Sequence, residues 1–313
     1  MSSLPLISII TPSFNQAAFI EDTISSVAQQ DYLALEHIIV DGGSTDGTRT
    51  ILERQRDVRW TSEPDGGQAD AVNKGFARAR GDVLGWINSD DVYQPGALRR
   101  VAEEFADRPD VDVVYGDCAE LDESGPVRRV IPAHPVEPSQ LLLLDFRLYQ
   151  PTFFFRRRAI DRVGMLDTSL HLVLDYDYIL RMVMRCKASY VPATLAAFRP
   201  HPRSKTSTRL ADFLTEYLVV FDRVFSDSAL SPSLAKVRRR AYSNLYLACG
   251  VHSLSADRRR EAATRLWRSL ATCPHPMRPQ FLKALLLLID AYAGGRLGQR
   301  TVASLRRLSP GVH

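Results

Sequence analysis

A six-residue run, LISIIT at 6–11, sets the tightest limit on how this 313-residue chain can fold. It is short, apolar and β-branched, the pattern of a strand buried on both faces, as parallel sheets require. Residues 12–15 (PSFN) break it, and Ile20, Ile24 and Val27 then recur at helical spacing up to Gln30. The alternation repeats. A strand at 37–40 ends on Asp41, and a helix through 50–54 has Ser44 and Asp46 as available caps. A short strand at 58–61 precedes a helix with Ala69, Val72, Phe76 and Ala79 on one stripe. A strand at 82–88, a helix after Pro95 with Leu98, Val101 and Phe105 inward, and a strand at 111–115 complete the series. Strands alternating with helices across short loops predict an α/β fold, a doubly wound and mostly parallel sheet over 4–117. Between 117 and 155 the alternation weakens, which predicts a small antiparallel addition. A helix at 175–186 and a strand at 189–191 follow.

After residue 205 the texture is all helical. Ser231-Pro232 reads as a helix start with Leu234, Val237, Ala241, Leu245 and Ala248 as its stripe. Ala263, Leu266, Trp267 and Leu270 mark the next helix, and 281–292 a third. Charge divides at the same place. Residues 1–205 carry 23 Lys+Arg against 29 Asp+Glu, whereas 206–313 carry 17 against 7. The expected organisation is a ligand-binding domain over 1–205 and a basic helical region over 206–313. The cysteines at 118, 186, 249 and 273 match no metal spacing and are expected to be reduced thiols. No stretch has the form of a signal peptide, and none reaches the roughly 18 apolar residues of a membrane span.

Three carboxylate stations carry the chemistry. Asp41 and the pair Asp90-Asp91 follow strands, at the sheet edge where open α/β folds place ligands. Asp41 can accept from a nucleobase N–H, with Gly42-Gly43 permitting close approach. Asp90 and Asp91 suit Mg2+ or Mn2+, which binds through one or two carboxylates plus phosphate oxygens. Asp175 and Asp177 compete for the third role. Asp177 has Arg181 four residues on as an ion-pair partner, while Asp175 stands at a helix start, where the dipole keeps it ionised and able to take a proton. Arg199, His201, Arg203 and Lys205, spaced by prolines at 200 and 202, would project from one side of an extended chain and clamp a diphosphate, whereas polyproline II geometry would splay them, as in a solvated basic linker. The arginine runs at 156–158, 238–240 and 258–260 read as solvated faces, with attraction to an anionic membrane surface as the alternative. They lack the interleaved aromatic residues of a nucleic-acid groove, so no nucleic-acid partner is expected.

The motifs ITPSFNQ at 10–16, VDGGSTDGT at 40–48, EPDGGQADAVNKG at 63–75, GDVLGWINSDD at 81–91, LDYDYILR at 174–181 and FRPHPRSKT at 198–206 occur in that order. With them the chain resembles family 2 glycosyltransferases, inverting enzymes of the glycosyltransferase A fold, over residues 5–205. The resemblance implies a catalytic domain that uses Mn2+ or Mg2+ and a UDP- or GDP-type sugar donor. The acceptor would be a hydroxyl of a glycan or lipid-linked molecule, in polysaccharide or glycolipid assembly, in the cytoplasm or peripherally at the inner membrane face. It implies that Pro12 borders the nucleotide while Phe14 and Asp41 hold its base, and that Asp65, Gln68, Asn73 and Lys74 line the nucleotide and donor sugar. It makes Asp91 the direct metal ligand, turns Asp90 toward the ribose, and makes Asp175 the base. Two departures stand out: Ser-Asp-Asp replaces a spaced Asp-x-Asp, and Leu174 stands where many relatives carry Glu. The rival readings are a sugar nucleotidyltransferase, whose glycine- and lysine-rich phosphate loop ITPSFNQ lacks, and a non-catalytic nucleotide-sugar-binding scaffold.

Overall fold

Strand β1 (Ile7–Ser13) is the axis of the sheet, and every residue of it is buried. It pairs in parallel with β2 (Leu35–Asp41) on one side and β4 (Val83–Trp86) on the other, and β2 carries β3 (Arg59–Ser62) outside it. Helices α1 (Ile20–Ala28), α2 (Thr48–Leu52) and α3 (Gln68–Arg78) connect these strands. Val27 of α1 joins Ile7 and Ile9 in one core cluster with Leu98, Val101 and Phe105 of α4 (Ala97–Asp107). Helix α3 lies on Ile10 through Gly75, where any side chain would collide with the isoleucine. This computed structural model describes residues 4–122, 125–201, 213–229 and 231–292.

The mostly parallel sheet is present, and its antiparallel component enters the middle. Strand β8 (Phe153–Arg156) runs antiparallel between β4 and β6 (Val113–Leu121). Its three consecutive phenylalanines are all buried, which suits a strand covered on both faces. Strand β7 (Val127–Ile131) pairs with β6, β9 (Ala188–Phe198) runs parallel to β6, and β5 (Val92–Tyr93) is antiparallel to β9. The order is β3-β2-β1-β4-β8-β6-β9-β5. Strand β9 far outruns the expected 189–191, continuing beyond Pro192 where its register against β6 shifts next to Gly116.

Of the arginines at 156–158, expected on a solvated face, Arg156 and Arg157 are half-buried staples, while Arg158 is exposed and tied down by its partners. Arg156 donates to the carbonyls of Val111 and Phe105, Arg157 to those of Ala79 and Gly81, and Arg158 to Asp112. Carbonyls at the ends of α3 and α4 lack intrahelical donors, and these guanidinium groups supply them. Helix α6 (Arg158–Val163) and helix α7 (Leu174–Arg185) complete this unit, which comprises Met1–Pro135 and Leu148–Pro202.

The second unit comprises Val136–Arg147 and Arg203–His313. Its described helices are α5 (Pro138–Leu142), α8 (Phe213–Ser226), α9 (Pro232–Ala235), α10 (Arg238–Ser255), α11 (Arg259–Thr272) and α12 (Pro279–Tyr292). Ser231 accepts from the Leu234 N–H as a cap, yet α9 ends after one turn and leaves Leu234 and Val237 only half-buried. Ser243 and Ser269 exchange hydroxyl-to-carbonyl hydrogen bonds where α10 meets α11. Of the residues that mark α11, Trp267 is exposed, while Leu266 and Leu270 fill the core. Helix α12 buries Ala284, Leu287 and Leu288 and leaves Leu282, Leu285, Leu286 and Ile289 exposed. Among the described residues no helix is long and apolar enough to cross a membrane. All four cysteines are free.

His37 is buried beneath the sheet edge with its Nε2 2.9 Å from the Thr11 hydroxyl, and burial pushes its pKa down from 6.5 to about 3. The folded protein therefore keeps His37 neutral while the unfolded chain protonates it near its ordinary value. Its contribution to stability is complete above pH 6.5 and is lost as pH falls toward 3, at about 1.4 kcal/mol per pH unit. Urea titrations between pH 7 and 5 should show this decline, and His37→Gln should flatten it. An unchanged slope in that variant would contradict the assignment.

Candidate active site

The parallel strands stop at different heights. Strand β1 runs to Ser13 beside Asp41, whereas β4 stops at Trp86 opposite Ile10. Pro12 falls where β4 no longer pairs, so its missing N–H costs no ladder bond on that side. Ile87 N makes the last bond to the Ile10 carbonyl, and residues 88–91 then turn over the edge, closed by Asp91 N to the Asn88 carbonyl at 3.1 Å. Asp90 and Asp91 therefore sit on a turn, not within a strand, and they diverge. Asp91 points inward and is 5% exposed; its Oδ1 accepts from the Arg199 backbone N–H at 3.2 Å. Burial, and then the neighbouring Asp90 charge, push its pKa well above the usual carboxylate range. Asp90 stays partly open, with Oδ2 2.9 Å from His201 Nε2 and side chains 21% and 11% exposed respectively.

Helix α1 fixes this turn through polar residues that the sequence reading passed over. The Thr23 hydroxyl donates to the Asp91 carbonyl at 2.7 Å, and Ser26 Oγ accepts from Tyr93 N at 3.1 Å. Gln30 donates to the Gln94 carbonyl at 3.0 Å and accepts from Leu98 N at 3.2 Å. Thr23 and Ser26, three residues apart, share one helix stripe, and Gln30 follows two residues beyond the helix end. That spacing inside the apolar Ile20-Ile24-Val27 pattern was the available signal.

A second rim forms where β1 and β2 end. Asn15 adopts a left-handed φ of 54°, a conformation Asn tolerates better than most residues. Its N–H donates to Ser44 Oγ and its Oδ1 accepts from Thr45 N. Gln16 N donates to Thr48 Oγ1 and Ala17 N to Asp46 Oδ2. Ser44 and Asp46 thus tie two loops together, and α2 begins at Thr48 with Gly47 as its cap residue. Phe14 stands 60% exposed on this rim. Asp41 is fully buried, and its carboxylate accepts from Gly43 N, Ser44 N, the Ser44 hydroxyl and the Ser62 hydroxyl. Asp65 lies against Gly42, where a Cβ would fall 2.9 Å from its Oδ2, and it accepts from Gly67 N.

Helix α3 divides the expected donor-lining residues. Gln68 donates to Asn88 Oδ1 at 2.8 Å, at the Ser-Asp-Asp turn, and Trp86 Nε1 donates to the same oxygen at 3.1 Å. Asn73 has both ends of its amide on the Leu166 backbone, at 2.9 and 3.0 Å, so it anchors a loop. Lys74 pairs with Asp70 at 3.0 Å. Asp177 is buried and paired with Arg181 at 2.8 Å, a structural role. Asp175 is half-buried at the first turn of α7, with Oδ1 accepting from Tyr176 N at 2.8 Å. One turn on, the buried Tyr178 ring lies 6.4 Å from that of Trp86. Leu174 is buried in the core. Arg199 and His201 meet the Asp90-Asp91 turn directly, whereas Arg203 and Lys205 lie outside the described residues.

Among the described residues no cluster of three His, Cys, Asp or Glu side chains could alone enclose an ion. The donor set of Asp90 oxygen and His201 nitrogen fits a cation that draws its remaining ligands from phosphate and water, as Mg2+ and Mn2+ do.

Solved structures share this architecture. A Staphylococcus aureus TarS fragment (1–349) in complex with UDP-GlcNAc superposes with a TM-score of 0.62 at 19% identity, over 96% of this chain and 91% of that one. The mannosyltransferase PcManGT of Pyrobaculum calidifontis, in complex with GDP-Man and Mn2+, gives 0.60 at 21% identity, over 97% and 86%. Both show the glycosyltransferase A fold. Among sequences, an uncharacterized glycosyltransferase of Mycobacterium tuberculosis, Rv1514c, is 30% identical over 202 residues, 63% of this chain and 76% of its own. The O-antigen biosynthesis protein RfbC of Myxococcus xanthus is 32% identical over 189 residues, 58% of this chain and 15% of its own. Residues 8–164 match the family described as Glycosyl transferase family 2, and with half the chain inside that match the protein belongs to this family.

Proposed function

We propose that the protein is a metal-dependent, inverting glycosyltransferase that moves a sugar from a nucleoside-diphosphate donor to an acceptor hydroxyl in surface-glycan assembly. The observation that carries this reading is the junction of Asp90, Asp91, Arg199 and His201 at the carboxyl edge of the sheet. Carboxylate, imidazole and guanidinium together match a cation and a diphosphate. Structural neighbours bound to UDP-GlcNAc and to GDP-Man with Mn2+ support the donor class, and RfbC supports the glycan setting.

The partly open Asp90, with His201 beside it, would hold Mn2+ or Mg2+, and the buried Asp91 would fix the Arg199 backbone behind it. This reverses the division that the resemblance implied. When bound, the cation would supply charge neutralisation for the diphosphate. Phe14 packs against the base, whose N–H takes a place at Asp41, and Asp65 and Gln68 border the donor. Asp175 accepts the proton of the acceptor hydroxyl. That oxygen bonds to the anomeric carbon from the face opposite the diphosphate, and the electron pair of the breaking C–O bond leaves on the diphosphate oxygen. A diphosphate is a weakly basic leaving group that departs without protonation, so one catalytic carboxylate suffices. A buried Leu174 beside Asp175 agrees with a single base.

Purified variants test this. Asp175→Asn should abolish transfer from UDP- or GDP-sugars while nucleotide affinity and melting temperature hold. Asp90→Asn should erase the Mn2+ dependence of nucleotide binding. Asp177→Ala should instead destabilise the fold by about 3–5 kcal/mol, because Arg181 loses its buried partner. Substantial turnover in Asp175→Asn would remove it from the reaction.

The basic second region and the exposed stripe Leu282, Leu285, Leu286 and Ile289 support peripheral contact with an anionic bilayer, near a lipid-linked acceptor. Sedimentation with vesicles containing phosphatidylglycerol should capture the protein, and Leu285→Glu with Ile289→Glu should release it. Equal recovery on neutral vesicles would count against this contact.

A further inference from the structure

The first turn of α1 grips the same two side chains that face the proposed diphosphate. Phe19 and Asp22 belong to none of the motifs that carry the family resemblance. The Phe19 ring lies 4.9 Å from the His201 ring, and the Arg199 guanidinium sits 5.4 Å over the Phe19 ring centroid. Asp22 Oδ2 accepts from Arg199 Nη2 at 2.8 Å. One residue on, Thr23 holds the Asp91 carbonyl, so a single helical turn touches both halves of the site. The Arg199 side chain is 10% exposed, and its Nε is buried with no hydrogen-bond partner among the described residues. Leaving a buried donor unsatisfied is costly, so this packing suits a guanidinium held for an incoming acceptor such as a diphosphate oxygen.

We propose that Phe19 and Asp22 are positioning residues that set Arg199 and His201 in their binding pose before the donor arrives. The proposal rests on the functional reading above, in which Arg199 and His201 face the donor diphosphate. Asp22 is open to solvent, at 60% exposure, so removing its charge should leave the core unchanged. Its effect should appear as lost preorganisation, in donor affinity and KM and not in kcat.

Calorimetric titration of the full chain with UDP and with GDP, with and without Mn2+, provides the test alongside apo melting temperatures. Asp22→Asn and Phe19→Leu should each weaken Mn2+-dependent nucleotide binding by about tenfold at an unchanged melting temperature. Asp22→Asn should add nothing once Arg199→Gln is present, as coupled residues require. Wild-type affinity in Asp22→Asn, or a loss that persists fully in the Arg199→Gln background, would overturn the positioning role. Should Phe19→Leu fail to fold, Asp22→Asn decides alone. A wild-type protein that binds neither nucleotide with Mn2+ would overturn the functional reading and this inference together.

Discussion

The staggered ending of neighbouring parallel strands is the constraint on which the site depends. Strands β1 and β2 continue to Ser13 and Asp41, while β4 stops opposite Ile10 and frees residues 88–91 to bend across the sheet edge. A strand that continued in register would send Asp90 and Asp91 to opposite faces. A turn instead lets one carboxylate point inward as an anchor and the other outward toward solvent. The side-chain bonds from α1 and from Gln30 just after it keep that turn in place without covering Asp90.

The two acidic neighbours illustrate how environment divides chemically identical groups. Asp91 is buried and takes a backbone N–H, which makes it a receptor for the chain segment returning after β9. Asp90 remains accessible and meets an imidazole. The same division separates Asp175 from Asp177, where the Arg181 ion pair claims one carboxylate and leaves the other at the helix start. In each pair the sequence neighbours differ in role because one is already committed to structure.

Much of this was legible in the residues. LISIIT, the strand ending on Asp41 and the stripe through Val72 and Phe76 specify buried strands and covering helices by periodicity alone. The insertion of β8 between β4 and β6 was not legible, since FFF at 153–155 carries no sign of which strands it will join. Asp177 could be separated from Asp175 by its spacing to Arg181. The reverse held for Asp90 and Asp91, whose difference arises from distant Arg199 and His201. Asn73 sits in a motif that implied a ligand contact, yet its amide holds Leu166, 93 residues away. Arg156, Arg157 and Arg158 looked like a surface run because nothing local reveals the loop carbonyls they reach.

A crystal structure of the protein with a nucleoside diphosphate and Mn2+ bears most directly on the central claim, that these groups converge in one donor pocket. The account predicts the ion on Asp90 and His201, phosphate oxygens against Arg199, the base beside Phe14, and Asp175 facing the site of the donor sugar. A nucleotide bound without touching residues 88–91 or 199–201 would contradict it.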